Sequence, residues 1–327
     1  MSRRRIWVTA TDSAGCWYYR LHLPLTYLDP DRWEVISRGP TCGELIAGDV
    51  VIGQRLADDN AAWREMGQRD DVTTVYDLDD NLMAVDPGNT IPYSLYGRPE
   101  VVEAIRRNLA AAHVVTVTTR ALADVVREIN PNVVVLENCV APDRVQMHVP
   151  NPVPTIGWAG SPFHAQDWFG SDVAALQSIV REFGDRVAFR TIGADYMGVP
   201  NRHSGWTTMD QYWAHLDFDI GIAPLADTPF NACKSWIKAL EYMARGVVPV
   251  VPDIGQYSEL IKDEENGLIY PGARGGSLGE CLVWMMMRRD TNWWHELSVG
   301  ALEAAARWTI DKHVHRWQAV YEGNWGR

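Results

Sequence analysis

The feature that most constrains the fold is a regular alternation between short β-branched runs and amphipathic segments. Segments with helical periodicity, such as 98–112 and 118–130, lie between several of the runs. Alternation of this kind predicts an α/β fold of doubly wound parallel sheets with helices on both faces. The predicted strands are 5–10, 33–37, 49–53, 73–77, 113–118, 132–137, 155–160, 187–193, 218–225, 247–251 and 267–270.

A proline-rich interruption divides the chain into two halves. Three prolines fall within 148–155, and the alternation then restarts. Each half opens with a predicted strand, a glycine turn and a helix start, and a length of 327 residues suits two domains. We therefore expect two Rossmann-like domains with a ligand in the cleft between them, and a C-terminal helix that returns to the first domain. The expected ranges are 1–150, 151–305 and, for the returning helix, 306–327.

Charge and composition argue against several classes of protein. A formal net charge of −12 disfavours sequence-independent binding to nucleic acid, although it leaves room for a local basic groove. No run approaches the ~18 apolar residues of a membrane span. The five cysteines are scattered without CxxC spacing, which predicts neither a disulfide framework nor a zinc site. The sequence therefore predicts a cytoplasmic protein. Its preference for arginine over lysine is compatible with a high-GC genome, such as that of an actinobacterium or its phage.

Two of the four lysines lie in one short segment before a buried strand. If 234–245 is a helix, Lys234, Lys238, Glu241 and Arg245 share one face of it. That face is either solvated, with weak i,i+4 pairs, or a ligand site. The helix follows a predicted strand, so its N-terminus lies at the carboxyl edge of a parallel sheet, where ligands bind and where free N–H groups suit phosphate. Cations for a diphosphate and a carboxylate for ribose hydroxyls together indicate a nucleotide-diphosphate site.

The same region carries a family resemblance. Residues 218–270 resemble the donor-binding region of GT-B fold glycosyltransferases of the family 4 type, and weaker similarity covers most of the chain. The branch pattern N-x-x-K-S-x-I-K-x-x-E-Y is matched by Asn231, Lys234, Ser235, Ile237, Lys238, Glu241 and Tyr242. One departure is that this family usually has a second glutamate eight positions before the matched one, where this chain has Cys233.

The resemblance implies roles for individual residues. Transfer would retain the anomeric configuration and need no metal, with Lys234 and Lys238 stabilising the departing diphosphate as catalytic residues. The other donor-binding candidates, from the resemblance or from their place at predicted turns, are Gly15, Gly160, Ser161, His164, Asn231, Ser235, Glu241, Tyr257 and Glu259.

An acidic cluster ends a predicted strand of the first domain. Asp77, Asp79 and Asp80 admit three interpretations: a divalent metal site, a group that orients or deprotonates an acceptor hydroxyl, or strand-end capping. Because the rest of the chain resembles GT-B enzymes, we do not expect a metal. We count Asp79 and Asp80 as catalytic candidates, and Asp77 and Arg20 as acceptor-side candidates.

The sequence therefore predicts a glycosyltransferase that moves a sugar from a nucleotide diphosphate sugar to an acceptor hydroxyl. The first domain would hold the acceptor and the second the donor, with no cofactor beyond this substrate. The acceptor stays open among a glycan, a lipid-linked precursor, a protein side chain and a hydroxylated nucleobase. A sugar-nucleotide epimerase of the same architecture and a binding module without catalytic activity are the alternatives.

Overall fold

The computed structural model describes residues 3–10, 15–271, 276–288 and 291–325. The chain divides into two units, each built on one six-stranded sheet. The first unit comprises Met1–Cys139, Cys233–Ser235 and Ile310–Arg327. The second comprises Val140–Ala232 and Trp236–Thr309.

All strand pairs of the first unit are parallel, in the order β2-β1-β3-β4-β5-β6. The strands are β1 (Arg4–Thr9), β2 (Trp33–Ile36), β3 (Val50–Gln54), β4 (Thr73–Leu78), β5 (Val114–Val117) and β6 (Val133–Val135). The helices between them are α1 (Gly15–Trp17), α2 (Leu23–Thr26), α3 (Ala61–Met66), α4 (Thr90–Tyr96), α5 (Pro99–Ala111) and α6 (Arg120–Arg127), with a π-helical turn at Tyr18–His22 between α1 and α2.

The second unit has the same construction, with all pairs parallel and the order β12-β11-β10-β7-β8-β9. Its strands are β7 (Thr155–Gly160), β8 (Ala188–Gly193), β9 (Arg202–Ser204), β10 (Ile220–Ile222), β11 (Val248–Pro252) and β12 (Leu268–Tyr270). Its helices are α7 (Gly170–Phe183), α8 (Met209–His215), α9 (Ile237–Ala244), α10 (Tyr257–Leu260), α11 (Leu278–Arg288) and α12 (Asn292–Ala305). The last helix of the chain, α13 (Ile310–Tyr321), belongs to the first unit.

The predicted α/β architecture is confirmed, and its cause is visible in the burial of the strands. Val50, Val51 and Ile52 of β3 are at most 1% exposed, because helices cover both faces of a parallel sheet. The predicted helix at 118–130 is α6, and its N-cap is Thr119, whose side chain accepts a hydrogen bond from the Leu122 amide at 3.1 Å. Every predicted strand is present.

One strand was missed. β9 (Arg202–Ser204) lies at the edge of the second sheet, and its polar, largely exposed residues carry no apolar pattern. Across the parts of the chain that the structure describes, no helix is both long enough and apolar enough to cross a membrane.

Candidate functional site

The strand order of the second unit reverses between β7 and β10, which lie side by side. In open α/β sheets such a switch point is where ligands bind, beyond the carboxyl ends of the strands. Helix α9 joins the ends of both strands through one side chain. The Tyr242 hydroxyl accepts a hydrogen bond from the Ala159 amide of β7 at 3.0 Å and donates to the Ile222 carbonyl of β10 at 3.2 Å. Tyr242 therefore fixes α9 at the switch point.

Lys238 lies in the first turn of α9. Its Nζ donates to the Ala159 carbonyl and lies 5.9 Å from the centroid of the Trp158 ring, so the ammonium is held at the carboxyl end of β7. Gly160 and Ser161, both half-buried, follow directly at this strand end. The site thus has a cation beside a helix N-terminus, which is an arrangement that suits an anionic ligand.

The structure corrects the start of this helix. We predicted a helix over 234–245, but α9 begins at Ile237, after a 3₁₀ turn at Asn231–Cys233. Lys234 and Ser235 precede the helix, so Lys234 does not share a helical face with Lys238. The prediction that Lys234 and Lys238 form an i,i+4 pair on one helix is therefore wrong. Contacts within the first unit hold Lys234 and Ser235 in a conformation that is not part of the helix.

Glu241 is not on a solvated face. It is 5% exposed, and its Oε2 accepts a hydrogen bond from the Tyr212 hydroxyl at 2.5 Å. Burial, reinforced by the neighbouring carboxylate, raises the pKa of Tyr212 well above its usual value, so Tyr212 stays a donor. Since a buried carboxylate is costly without such partners, the solvated-face interpretation is excluded for this residue.

A buried aspartate that the sequence did not reveal organises the loop before α9. Asp167 is 1% exposed, and its Oδ1 accepts hydrogen bonds from the Ala226 amide at 3.1 Å and from Asn231 Nδ2 at 2.6 Å. Its Oδ2 lies 2.8 Å from His164 Nδ1. Asp167 therefore joins two of the predicted donor-binding residues, His164 and Asn231. No motif marks it, because only the tertiary contacts distinguish it from a surface aspartate.

Two further donor-binding candidates lie on the short helix α10. Tyr257 is 2% exposed, and burial raises its pKa, with Asp167 and Glu241 acting in the same direction. Glu259 is exposed and accepts a hydrogen bond from Gln256 Nε2 at 3.4 Å. Tyr257 thus lies among the charged groups of the site, whereas Glu259 faces outward.

The acidic cluster of the first unit is an ion-pair network at the carboxyl ends of β3 and β4. Arg55 Nη2 lies 2.7 Å from Asp79 Oδ2 and 3.0 Å from Asp80 Oδ2, and Arg55 Nε also donates to Asp79. Lys234 Nζ lies 3.3 Å from Asp80 Oδ1. Burial alone would raise the pKa of Asp79, but the Arg55 guanidinium outweighs it and holds that pKa below its usual range. Arg55 was not predicted, since nothing in its sequence neighbourhood identifies a partner for the aspartates.

The remaining acidic residue has its own buried partner. Arg20 and Asp77 are 1% and 2% exposed, and Arg20 Nη2 lies 2.8 Å from Asp77 Oδ2. Thr116 donates a further hydrogen bond to the same oxygen at 2.8 Å. Each of the three predicted aspartates therefore faces a basic side chain. Among residues 3–10, 15–271, 276–288 and 291–325, no group of three or more His, Cys, Asp or Glu side chains is arranged to hold a metal ion.

A cavity of about 410 Å³ lies beyond the carboxyl ends of β1 and β2. Trp17 and His22, whose rings stack with centroids 4.6 Å apart, line it together with Thr9, Thr26 and Ser37. Gly15 begins the adjoining helix α1. A Cβ added there would meet nothing within 4 Å, so this glycine is not required by packing.

Solved structures share this architecture. Sucrose-phosphate synthase from Thermosynechococcus elongatus matches with a TM-score of 0.68 at 12% identity, over 98% of this chain and 99% of that chain. A glycosyltransferase from Rickettsia africae matches with a TM-score of 0.65 at 11% identity, over all of both chains. HepE from Anabaena, solved in complex with UDP, matches with a TM-score of 0.63 at 12% identity, over 98% and 100%.

Longer chains also match. The protein spans 54% of TarM, with a TM-score of 0.56 at 14% identity over 84% of this chain. No protein-family model and no curated protein matches the sequence. The similarity therefore lies in the structure, which has the two Rossmann-like domains of the GT-B glycosyltransferase fold.

Proposed function

We propose that this protein is a glycosyltransferase that moves a sugar from a nucleotide diphosphate sugar to an acceptor hydroxyl. The observation that carries the proposal is the placement of Lys238 and Glu241 on one helix at the switch point of the second sheet. The architecture supports it, because glycosyltransferases of known structure share it and the structure of HepE holds UDP. UDP is accordingly the first nucleotide to test.

The donor roles follow from the chemistry of the two side chains. Lys238 and Glu241 are three residues apart, about 4.5 Å along the helix axis. In this proposal Lys238 and the N-terminus of α9 bind the diphosphate, while Glu241, oriented by Tyr212, accepts hydrogen bonds from the ribose hydroxyls. Gly160, Ser161, His164, Asn231, Ser235, Tyr257 and Glu259 remain donor-binding candidates, and Gly15 is a further candidate on the first unit.

The proposed reaction breaks the bond between the anomeric carbon and the diphosphate oxygen and forms a bond from that carbon to the acceptor oxygen. Negative charge develops on the departing diphosphate, where Lys238 stabilises it, and Lys234 is carried over from the family resemblance as a further catalytic candidate. The acceptor proton passes to a phosphate oxygen of the leaving group, which keeps the reaction balanced without a further base. We propose that the configuration is retained and that the lysines act without a metal ion.

The first unit is the proposed acceptor side. The cavity lined by Trp17 and His22 has two aromatic rings and several hydroxyl-bearing residues in its lining at the carboxyl edge of the sheet, and it is our candidate for holding the acceptor. Arg20 and Asp77 are buried against each other, so their proposed contribution is to support that edge rather than to touch the acceptor.

The test is donor turnover with purified protein and a panel of UDP-sugars, followed as release of UDP. Lys238→Ala is expected to lower turnover by about 10²-fold, the scale for removing one charge stabiliser. Lys262→Ala is the matched control, because Lys262 is an exposed lysine of the same unit. Turnover by Lys238→Ala at the level of this control would refute the assignment.

A binding module without catalysis is the second candidate, and one observation favours it. Cys233, at the position where similar enzymes have a glutamate, is 3% exposed and lies 3.8 Å from Asn81 Nδ2. A carboxylate is thus absent from that position. Binding of a UDP-sugar by calorimetry, with no release of UDP in the presence or absence of acceptors, would support this candidate instead.

A further inference from the structure

The helical segment that begins at Gly15 contains a π-helical turn at Tyr18–His22, between α1 and α2. The Leu23 amide donates to the Tyr18 carbonyl, which lies five residues back rather than four. Pro24 explains the wider turn, because a proline has no amide hydrogen and its ring clashes with the carbonyl four residues earlier in a regular α-helix. Turns of this kind are rare, and they often lie at functional sites.

The π-helical turn brings two aromatic side chains together. Trp17 and His22 are five residues apart, and in a regular α-helix such residues lie about 140° apart around the axis. Here their rings stack, with centroids 4.6 Å apart and an angle of 24° between the ring planes. Trp17 is half-buried and His22 is exposed, so the Trp17–His22 pair is accessible to a ligand.

The Trp17–His22 pair lines the cavity of about 410 Å³ beyond the ends of β1 and β2. This volume lies within the range of small-molecule sites, which is about 300–1,000 Å³. The rest of the lining includes aliphatic residues and polar ones: Val8, Ala10, Leu25 and Val35, and Thr9, Thr26, Ser37 and Arg38. Val35 is 40% exposed, so the cavity leaves apolar surface that a ligand would bury. All of these residues belong to the first unit, so the cavity is complete within that unit.

The lining suits a sugar ring better than a lipid chain or a nucleobase. A pyranose has an apolar face of C–H groups, which packs against aromatic rings, and a rim of hydroxyls, which pairs with side chains that both donate and accept hydrogen bonds. A lipid chain would leave the polar residues of the lining without partners. A nucleobase edge is recognised by planar groups such as a guanidinium. Arg38 instead uses its guanidinium on both carboxylate oxygens of Glu44, at 3.1 and 2.5 Å.

We infer that this cavity binds a sugar ring, stacked on the Trp17–His22 pair, and that the acceptor is therefore a glycan or a lipid-linked sugar. The identification of the bound sugar as the acceptor rests on the proposed function, whereas the binding itself concerns the first unit alone. Trp17 has the larger ring of the pair and contributes more apolar contact area. The hydroxyl-bearing residues at the ends of β1 and β2 fix the orientation of the sugar.

The test is an NMR titration of the isotope-labelled protein, without nucleotide, with methyl glycosides of glucose, galactose, mannose and N-acetylglucosamine. The indole resonance of Trp17 is identified by its loss in Trp17→Phe. At least one glycoside is expected to shift this resonance and to saturate the protein below about 10 mM, ten times the upper end of usual KM values, about 1 mM. Octyl glucoside is then compared with methyl glucoside. Tighter binding of the octyl compound identifies a lipid-linked acceptor, and equal affinity identifies a free glycan.

Variants of Trp17 test the stacking, with affinities taken from the amide resonances that shift. Trp17→Leu keeps an apolar side chain but removes the ring, and it is expected to weaken glycoside binding about 10-fold, the upper end for an aromatic contact. Trp17→Phe keeps a ring and should weaken binding by less than about 3-fold. Trp325→Leu makes the same change at a half-buried tryptophan of the same unit, outside the cavity lining, and should leave the affinity unchanged.

Contrary results separate this inference from the proposed function. If no glycoside shifts the Trp17 resonance, or if Trp17→Leu binds glycosides as well as Trp325→Leu does, the sugar site is refuted, while release of UDP from UDP-sugars would still support the proposed function. A shift of Trp17 with hydroxymethyluracil or hexanol, but with no glycoside, would also refute the sugar site and would assign the cavity to a nucleobase or a lipid chain. If glycosides bind at Trp17 but no UDP-sugar is bound or turned over, the proposed function fails and the sugar site stands.

Discussion

Removing Asp79 should destabilise the first unit far more than removing an exposed aspartate. The side chains of Arg55 and Asp79 are 8% and 10% exposed, so the pair is almost fully shielded from water. Deleting one partner of a buried pair costs about 3–5 kcal/mol, because the other charge is left buried. Asp80 still faces Arg55 after the change, which places the expected loss for Asp79→Ala near the lower end, at about 3 kcal/mol.

The assay is urea unfolding followed by circular dichroism, with the variant compared with wild type and with Asp124→Ala. Asp124 pairs with Arg127 on the surface and is 76% exposed, so its removal should cost less than about 1 kcal/mol. Both aspartates belong to the first unit, so the unfolding transition of that unit is the one compared in each protein. A loss for Asp79→Ala as small as that for Asp124→Ala would refute the view that the Arg55 network is buried and tightly paired.

Three other predictions follow from the structure. Glu241→Ala should weaken UDP binding by about 10- to 100-fold by calorimetry, the range for losing a hydrogen bond to a charged group, and unchanged affinity would contradict the ribose role. Folding lowers the pKa of Asp79, so the stability that its ion pair contributes is present above the unfolded pKa of about 3.9 and is lost as the pH falls from there through the lower folded pKa. The stability of Asp79→Ala should therefore depend less on pH in acid unfolding than the stability of wild type. An equal pH dependence in the two proteins would contradict the lowered pKa. Gly193 has a φ of +91°, and an added Cβ would lie 2.3 Å from the Gly160 carbonyl oxygen, so Gly193→Ala should lose more stability than the about 1–3 kcal/mol that a strained backbone alone costs. Gly184→Ala, also at positive φ (+51°) but with open space around it, should lose only that strain energy. Equal losses of stability by urea unfolding would argue against the close approach at Gly193.

The strands could be predicted from sequence because their signal is local. The runs that became inner strands such as β3, β5 and β11 are buried along their whole length, and every predicted run became a strand of a parallel sheet. β9 was the exception, since an edge strand of polar residues does not need an apolar pattern.

The candidate site was only partly predictable. Lys238, Glu241 and Tyr242 were singled out because their helix has an amphipathic pattern and because their spacing resembles that of a glycosyltransferase family; the structure places all three on α9, and their roles stay a prediction. The start of that helix was misplaced, since contacts with Asp80 and Asn138, more than ninety residues away in the sequence, hold Lys234 and Ser235 outside it.

Arg55 and Asp167 could not have been found from the sequence. Nothing in the sequence around either residue indicates its partners, and only the tertiary structure shows that Arg55 faces two aspartates and that Asp167 joins His164 to Asn231. Pairing between distant charges leaves no periodic signal, so a spacing argument cannot detect it.

A crystal structure of the protein grown with UDP is the most direct test of the proposed donor site on α9. Density for the diphosphate is expected within hydrogen-bonding distance of Lys238 Nζ, and density for the ribose hydroxyls against Glu241. Density for UDP elsewhere on the chain, with Lys238 and Glu241 making no contact to it, would refute the proposed donor site.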